Sequence, residues 1–207
     1  MNPPATLTLD AAFALADELE ILQRLPRAGF VMSGVTAPQT VAAHSYGVAL
    51  WCLMLMERMA VPAALDRAKV LTMAVLHELA EARLTDIPQP ARRYLGEQLV
   101  SDTERRVVDD MLAASPAHWR AAWHEFEDGA TLEARIVKAA DKLELMHRIL
   151  MYEQQHNGAL ARFWHGGKNC RWEGLDAARE LFEEMQRRHD QPHAEPAVRI
   201  QQQKQTQ

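Results

Sequence analysis

The chain has 207 residues, of which 48% are hydrophobic and 25% are charged, and its net charge is −5. This length and composition are those of one globular domain with a sizeable core, and no apolar run approaches the roughly 20 residues that cross a bilayer. The negative charge, without an evident basic face, argues against general binding of a nucleic-acid polymer.

The spacing of apolar residues predicts an all-α protein. Asp10 is a plausible N-cap for the first helix, Pro62 is expected to open the third, and residues 26–39 and 85–90 are expected to be loops. The predicted helices cover residues 10–23, 40–60, 62–84, 101–114, 116–128, 130–156 and 174–189.

The remaining segments are expected to be irregular. Residues 156–172 combine glycines with aromatic residues and could form a mobile lid or an irregular connection. We expect a single domain over residues 1–190 and a polar, disordered tail over 191–207.

Targeting and redox signals favour the cytoplasm. The chain contains only Cys52 and Cys170, which do not form a disulfide framework. Its first residues lack the basic and apolar regions of a signal peptide. We therefore expect a cytoplasmic protein that does not associate with membranes.

Polar residues interrupt the apolar faces of three predicted helices. His44 lies on the apolar stripe of the second helix, and His77 lies on that of the third, with Glu81 one turn further along the same face. Asp141 lies within the longest helix. Because a buried carboxylate is costly unless it is paired or bound to a metal, these positions need an explanation.

One divalent cation would explain them together. Imidazole and carboxylate ligands suit several transition metals, so the residue types do not choose the ion. A bound cation lowers the pKa of its water and polarises a phosphoryl oxygen, and Glu81 would then be placed to act on the water or the leaving group. The predicted ligands are His44, His77, Glu78 and Asp141.

Each residue alone also has an ordinary structural explanation. A single histidine on an apolar face is usually a core residue, and an acidic pair such as Glu78 and Glu81 usually marks a solvated face. Asp141 could form a surface ion pair with Lys142. Three helices would each need an unrelated polar exception, so a shared site explains the set better.

Other motifs carry less weight. The pattern His77-Glu78-x-x-Glu81 differs in its last residue from the zinc-peptidase pattern His-Glu-x-x-His, and that change removes an essential ligand. We find no Gly-rich phosphate loop. Trp119 and Trp123, four residues apart, are more simply one face of a packed helix than a platform for base stacking.

Several short blocks resemble the HD-domain metal-dependent phosphohydrolases, specifically the YfbR-type bacterial 5′-deoxynucleotidases and their eukaryotic relatives. The resemblance covers roughly residues 18–185 and implies an HD-domain helical bundle with the metal site between central helices. The blocks are residues 22–30, 41–45, 77–81 with 85–88, 140–144 and 152–153.

The resemblance also implies roles for individual residues. His44, His77, Glu78 and Asp141 would bind one divalent ion, which could be Mn, Co, Zn, Fe, Ni or Mg. Arg24 would hold the substrate phosphate, because a guanidinium fork suits phosphate oxygens. Glu81 would assist proton transfer or position the attacking water, and Asp86 would contact the sugar or orient the nucleophile. The family's signature dipeptide is His-Asp, whereas this chain has His77-Glu78.

Three functions follow as hypotheses. The first is hydrolysis of a (deoxy)nucleoside 5′-monophosphate to a nucleoside and phosphate. The second is a triphosphohydrolase of the same fold, which would release triphosphate. The third, motivated by Glu78, is a catalytically weakened protein that binds a nucleotide without turnover. The resemblance further implies a homodimer or a higher homo-oligomer.

Overall fold

The computed structural model describes residues 7–60, 62–165, 172 and 174–191, and over these residues the protein is all-helical, as predicted. Two 3₁₀ turns cover Glu20–Gln23 and Ala161–Phe163, and the one β-bridge among the described residues joins Pro26 to Thr40. The α-helices are α1 (Leu9–Leu19), α2 (Ala28–Val31), α3 (Val41–Arg58), α4 (Arg67–Leu76), α5 (Glu81–Leu84), α6 (Gln89–Leu95), α7 (Glu97–Met111), α8 (Ala117–Asp128), α9 (Leu132–Gln154) and α10 (Asp176–Asp190).

Two predicted helix starts are wrong because other residues supply the caps. The Thr8 hydroxyl caps α1, so Asp10 lies inside its first turn. Asp66 caps α4 by accepting a hydrogen bond from the backbone N–H of Lys69 at 2.9 Å, whereas Pro62 belongs to a separate turn before the helix. Each cap accepts a hydrogen bond from a backbone N–H that has no partner within the first turn of its helix. The predicted first residues, Asp10 and Pro62, do not have this role.

The predicted helix 62–84 is also interrupted. It ends at Leu76, and residues 77–80 form a tight turn before the short helix α5. Hydrogen bonds between residues three apart, such as Glu81 N–H to Glu78 O at 3.1 Å, replace the α-helical pattern. His77 and Glu78 therefore project from the end of a helix and not from its middle.

Short helices also occupy part of the predicted loops. Helix α2 lies within residues 26–39, and α6 begins inside the segment 85–90. Gly96, with φ +87°, separates α6 from α7, so α7 begins at Glu97, four residues earlier than predicted. A positive φ suits glycine and ends α6. The predictions for α3, α8, α9 and α10 agree with the structure to within about two residues.

Helices α3 and α9 form the centre of the bundle. Helices α4, α8 and α10 pack around them, and their apolar side chains form the main core. A smaller cluster joins α1, α7 and α8 around the buried Trp123. This arrangement brings three helices with polar residues on their inward faces against one another. None of the described helices is long and apolar enough to cross a bilayer.

Some predictions fall on residues outside the described ranges. They include most of the tail, from residue 192 onwards, Cys170 and residues 166–171 of the segment predicted as a lid or connection. Of the described part of that segment, Ala161–Phe163 forms a 3₁₀ turn. Cys52 is a free, buried thiol.

Candidate active site

Two buried histidines face each other at the centre of the bundle. His44 on α3 and His77 at the end of α4 have their Nε2 atoms 3.4 Å apart. The Nδ1–H of His77 can donate to the carbonyl oxygen of Ala74 at 2.9 Å, and Nδ1 of His44 lies 2.6 Å from Oε2 of Glu144. In the tautomers that these bonds favour, both Nε2 lone pairs point into the same space, which suits a cation between them.

Two carboxylates complete the cluster. Oε1 of Glu78 lies 3.6 Å from Nε2 of His44 and 3.7 Å from Nε2 of His77. Oδ1 of Asp141 lies 3.3 Å from Nε2 of His44, while its Oδ2 accepts a hydrogen bond from Lys142 at 2.9 Å. The structure thus brings together all four residues predicted as ligands. The donor set of two imidazoles and two carboxylates fits a divalent transition-metal ion.

A buried hydrogen-bond network supports His44 from behind. Glu144, which is 3% exposed, accepts a hydrogen bond from Nε2 of Gln39 at 2.7 Å through the oxygen that does not contact His44. The backbone N–H of Gln39 donates to the Tyr152 hydroxyl at 2.8 Å. The Glu144 side chain lies directly against Gly47, where a Cβ would come within 2.7 Å of its Cγ. Sequence reasoning missed Glu144, although it lies one helical turn from Asp141 on α9.

A cavity of about 1130 Å³ opens beside the cluster, and Glu78 and Asp141 form part of its wall. Glu81 and Asp86 also line it. Oε2 of Glu81 is buried without a hydrogen-bond partner among the described residues. Oδ2 of Asp86 accepts a hydrogen bond from the backbone N–H of Ala28 at 2.8 Å. Both residues that sequence reasoning assigned to catalysis therefore face the space beside the candidate ligands.

The loop before Asp86 is conformationally strained. Thr85 has φ 65° and ψ 168°, an uncommon conformation for a β-branched residue. Such conformations persist where the surrounding structure holds them, and they concentrate at functional sites. Here the conformation ends α5 and directs Asp86 to the cavity wall and to the segment that contains Arg27.

Arg24 does not reach this cavity. It is exposed at the end of the first 3₁₀ turn and is not among the residues that line the cavity. Arg27, three residues later, does line it, bonds to Glu78, and has its Nε 3.9 Å from Oδ2 of Asp86. Arg27 is placed there by the residues that follow it. Helix α2 begins directly after Arg27, and the hydrogen bond between Ala28 and Asp86 holds the first turn of α2 against the site. Both arginines lie in the block 22–30, and periodicity does not distinguish them.

The surroundings of the cluster shift the pKa of each candidate ligand. Burial lowers the pKa of His77. Burial and the Arg27 charge oppose protonation of His44, but hydrogen bonds with Asp141 and Glu144 outweigh them and raise its pKa. Burial disfavours the charged form of Asp141, yet Lys142 and His44 hold its pKa well below 3.8. Burial acts in the same way on Glu78, but the Arg27 guanidinium lowers its pKa. Both carboxylates are therefore ionised and available as ligands.

Glu81 behaves in the opposite way. Burial raises its pKa well above the ordinary 4.5, and the nearby carboxylates of Glu78 and Asp86 raise it further. The native state consequently holds a proton on Glu81 at neutral pH. Two neighbouring carboxyl groups with opposite pKa shifts are typical of a site that assigns one to charge and the other to proton transfer.

Comparison with known proteins identifies the fold family. The family model described as HD domain matches residues 19–170, which is most of the chain. The protein belongs to the HD domain family. In this HD domain, one oxygen of Glu78 lies within 3.7 Å of the Nε2 atoms of both histidines.

The HD domain is also similar to named proteins and solved structures. It is 27% identical over 161 residues to the 5′-deoxynucleotidase hdd1 of Schizosaccharomyces pombe, covering 73% of this chain and 78% of that protein. It is 26% identical over 171 residues to the 5′-deoxynucleotidase HDDC2 of Xenopus laevis, covering 79% and 82%. A conserved hypothetical protein from Pyrococcus furiosus is 33% identical with a TM-score of 0.72, covering 87% of this chain and 99% of that one.

Proposed function

We propose that this HD domain is a metal-dependent phosphohydrolase that removes phosphate from (deoxy)nucleoside 5′-monophosphates. One observation carries the proposal: two histidines and two carboxylates from α3, the α4–α5 turn and α9 converge beside a cavity that Arg27 and Glu81 also line. The similarity to proteins named 5′-deoxynucleotidases supports the choice of substrate.

The candidate ligands would hold one divalent ion, which when bound activates a water and polarises a phosphoryl oxygen. The remaining residues position the substrate. The Arg27 guanidinium has five N–H donors and already contacts two carboxylates, so it can also bind phosphate oxygens from the same wall. We assign it the phosphate-binding role that sequence reasoning gave to Arg24.

Glu81 and Asp86 have separate roles in the proposed reaction. Because burial and two carboxylates keep Glu81 protonated, it can donate a proton to the departing 5′ oxygen of the nucleoside. Asp86 uses one oxygen to bind the backbone of Ala28, which holds Arg27 at the cavity wall. Its second oxygen is then available to accept a hydrogen bond from a sugar hydroxyl. Asp86 therefore orients both the phosphate-binding arginine and the substrate.

A nucleotide panel tests the proposal. Purified protein, loaded in turn with Mn²⁺, Co²⁺, Mg²⁺ and Zn²⁺, is assayed for release of inorganic phosphate from deoxynucleoside and ribonucleoside 5′-monophosphates. We expect phosphate release with at least one metal, and loss of both metal and activity in His77→Ala. Release of triphosphate from nucleoside triphosphates, without hydrolysis of monophosphates, would contradict the proposal. So would an absence of turnover with every metal.

An exposed apolar stripe supports a homodimer, which we propose as the assembly. Tyr46, Leu50, Leu53 and Met54 lie on one face of α3, with the last three lying four, seven and eight residues after Tyr46, and all are exposed. Apolar side chains that are contiguous on a surface commonly mark a contact with another protein. Sedimentation velocity of the wild type and of Leu50→Glu tests this, with a shift to monomer expected in the variant.

We also propose a cytoplasmic location, which is consistent with the free thiol Cys52 and a nucleotide substrate. Cell fractionation tests this proposal.

A further inference from the structure

Lys138 on α9 has no role in the reaction proposed above, although it lies beside the candidate ligands. It is half-buried and lines the same cavity as the candidate ligands. Among the described residues, no carboxylate oxygen lies within 4.0 Å of its Nζ, whereas Lys142 on the same helix is paired with Asp141. Its ammonium group lies instead over the ring of Phe126, 4.4 Å from the centroid. A lysine held in a cavity without an ion pair suggests an anionic ligand.

The surrounding structure holds the Lys138 side chain in this place. The Phe126 ring also contacts His77, with 5.5 Å between ring centroids and an angle of 70° between the planes, so one aromatic ring contacts both the ammonium group and a candidate ligand. Gly129, which ends α8 with φ +69°, lies beside the lysine stem, and a Cβ there would come within 2.8 Å of its Cε. The cation–π contact partly compensates the ammonium group for lost hydration but does not neutralise it.

The other two cations beside the candidate ligands already have carboxylate partners. Arg27 bonds to Glu78 and has its Nε 3.9 Å from Asp86, and Lys142 pairs with Asp141. Lys138 lines the same cavity and acts on Glu127 only electrostatically, from beyond 4.0 Å. Its ammonium group can therefore take an anionic ligand without first releasing an ion-pair partner.

We propose that Lys138 binds the phosphate group of the substrate, as a cation in the same cavity as Arg27. This inference rests on the proposed phosphohydrolase function for the identity of the substrate, but not for the existence of an anion site. An ammonium group binds phosphate as a point charge and accepts any orientation of the oxygens, whereas the Arg27 fork fixes two of them. Lys138 thereby favours binding of the dianion and stabilises charge that develops on the phosphoryl oxygens.

The test compares three variants with the wild type. Lys138→Met keeps the apolar stem over Phe126 and removes the charge, and Lys138→Arg restores a cation. Lys69→Met is the matched control, because Lys69 on α4 pairs with Glu125 and Glu133 and does not line the cavity. Calorimetry measures the affinity for Mn²⁺ and, on the Mn²⁺-loaded protein, for inorganic phosphate. Steady-state kinetics with dAMP measure KM and kcat separately.

We expect Lys138→Met to bind Mn²⁺ like the wild type but to bind inorganic phosphate roughly 10- to 100-fold more weakly, the loss typical of one charge-assisted hydrogen bond, with KM rising similarly. Lys138→Arg should recover most of the affinity, and Lys69→Met should change neither value. If Lys138→Met fails to fold, Lys138→Gln replaces it.

Three results would overturn the inference: wild-type phosphate affinity in Lys138→Met, loss of Mn²⁺ binding in that variant, or no phosphate binding by the wild type. If the wild type binds phosphate through Lys138 but hydrolyses no monophosphate, the proposed function fails while the anion site stands.

Discussion

The substitution Glu144→Gln changes the residue that supports the candidate ligand His44 and leaves His44 itself in place. The Glu144 carboxylate accepts two hydrogen bonds, one from His44 Nδ1 at 2.6 Å and one from Gln39 Nε2 at 2.7 Å. A carboxylate has acceptors only, whereas an amide has one acceptor oxygen and one donor nitrogen. Glutamine of nearly the same shape can therefore satisfy only one of the two donors as they stand.

The structure defines how the variant must respond. If the new amide nitrogen faces His44, the imidazole must move its proton from Nδ1 to Nε2, and Nε2 can then no longer bind a metal. If the nitrogen faces Gln39, that side chain loses its acceptor in a buried place, which costs about 1–3 kcal/mol of the free energy of unfolding. Loss of such a supporting partner typically lowers metal affinity by about 10- to 100-fold, or about 1.4–2.7 kcal/mol.

The assay measures Mn²⁺ affinity by calorimetry and unfolding by urea titration, with and without a chelator. Glu153→Gln is the matched control: Glu153 is also on α9, and its carboxylate accepts from Trp164 at 2.8 Å and lies 3.1 Å from His189, away from the cavity. We expect weakened metal binding in Glu144→Gln alone. Nitrogen chemical shifts of His44 would report the change of tautomer. Wild-type Mn²⁺ affinity in Glu144→Gln would refute the reasoning.

Three further predictions concern single sites. In Gly47→Ala, the added Cβ would lie 2.7 Å from Cγ of Glu144, so Glu144 must shift; we expect a clear loss of Mn²⁺ affinity by calorimetry, and an unchanged value would show that the network tolerates the shift. Glu81 has a raised pKa, so the native state keeps a proton that the unfolded chain releases above about pH 4.5, and this group lowers stability as pH rises from there towards its native pKa. Metal-free Glu81→Gln should therefore be more stable than the metal-free wild type at pH 8, with a gap that narrows towards pH 4; urea titrations at both pH values measure it, and a constant gap would contradict the cause. Burial raises the pKa of the Cys52 thiol to about 12, so in a Cys170→Ser background native protein should resist iodoacetamide at pH 8 until urea unfolds it, as mass spectrometry would show; rapid alkylation without urea would contradict this.

The candidate ligands that the sequence singled out lie close together, whereas several predicted helix boundaries are wrong. His44 and His77 are recognisable because they lie on apolar stripes, and Asp141 is a third polar residue within a long predicted helix. The break after Leu76 was not recognisable, because the apolar pattern continues through residues 77–80 although the hydrogen bonds change. The short helix α6 was missed because two prolines flank its first residue and imitate a loop.

The choice between Arg24 and Arg27 shows the same limit at the site. Both are charged residues in a segment without helical periodicity, and only the packing of α2 against Asp86 places one of them in the cavity. Lys138 and Glu144 are comparable cases. On α9 they look like ordinary charged residues of an amphipathic helix, and their roles depend on the partners that face them.

The amino-acid sequence by itself determined the helical class and the faces on which polar residues point inward, because hydrophobic periodicity is a local property of the chain. Only the tertiary structure decided which of those residues meet. The Nδ1 atom of His44 and the carboxylate of Glu144 are 100 residues apart in sequence and 2.6 Å apart in space, and the packing of α3 against α9 brings them together. The raised pKa of Glu81 and the position of the Lys138 ammonium group over Phe126 likewise depend on how the helices pack, because burial and neighbouring charges are set by the packed structure.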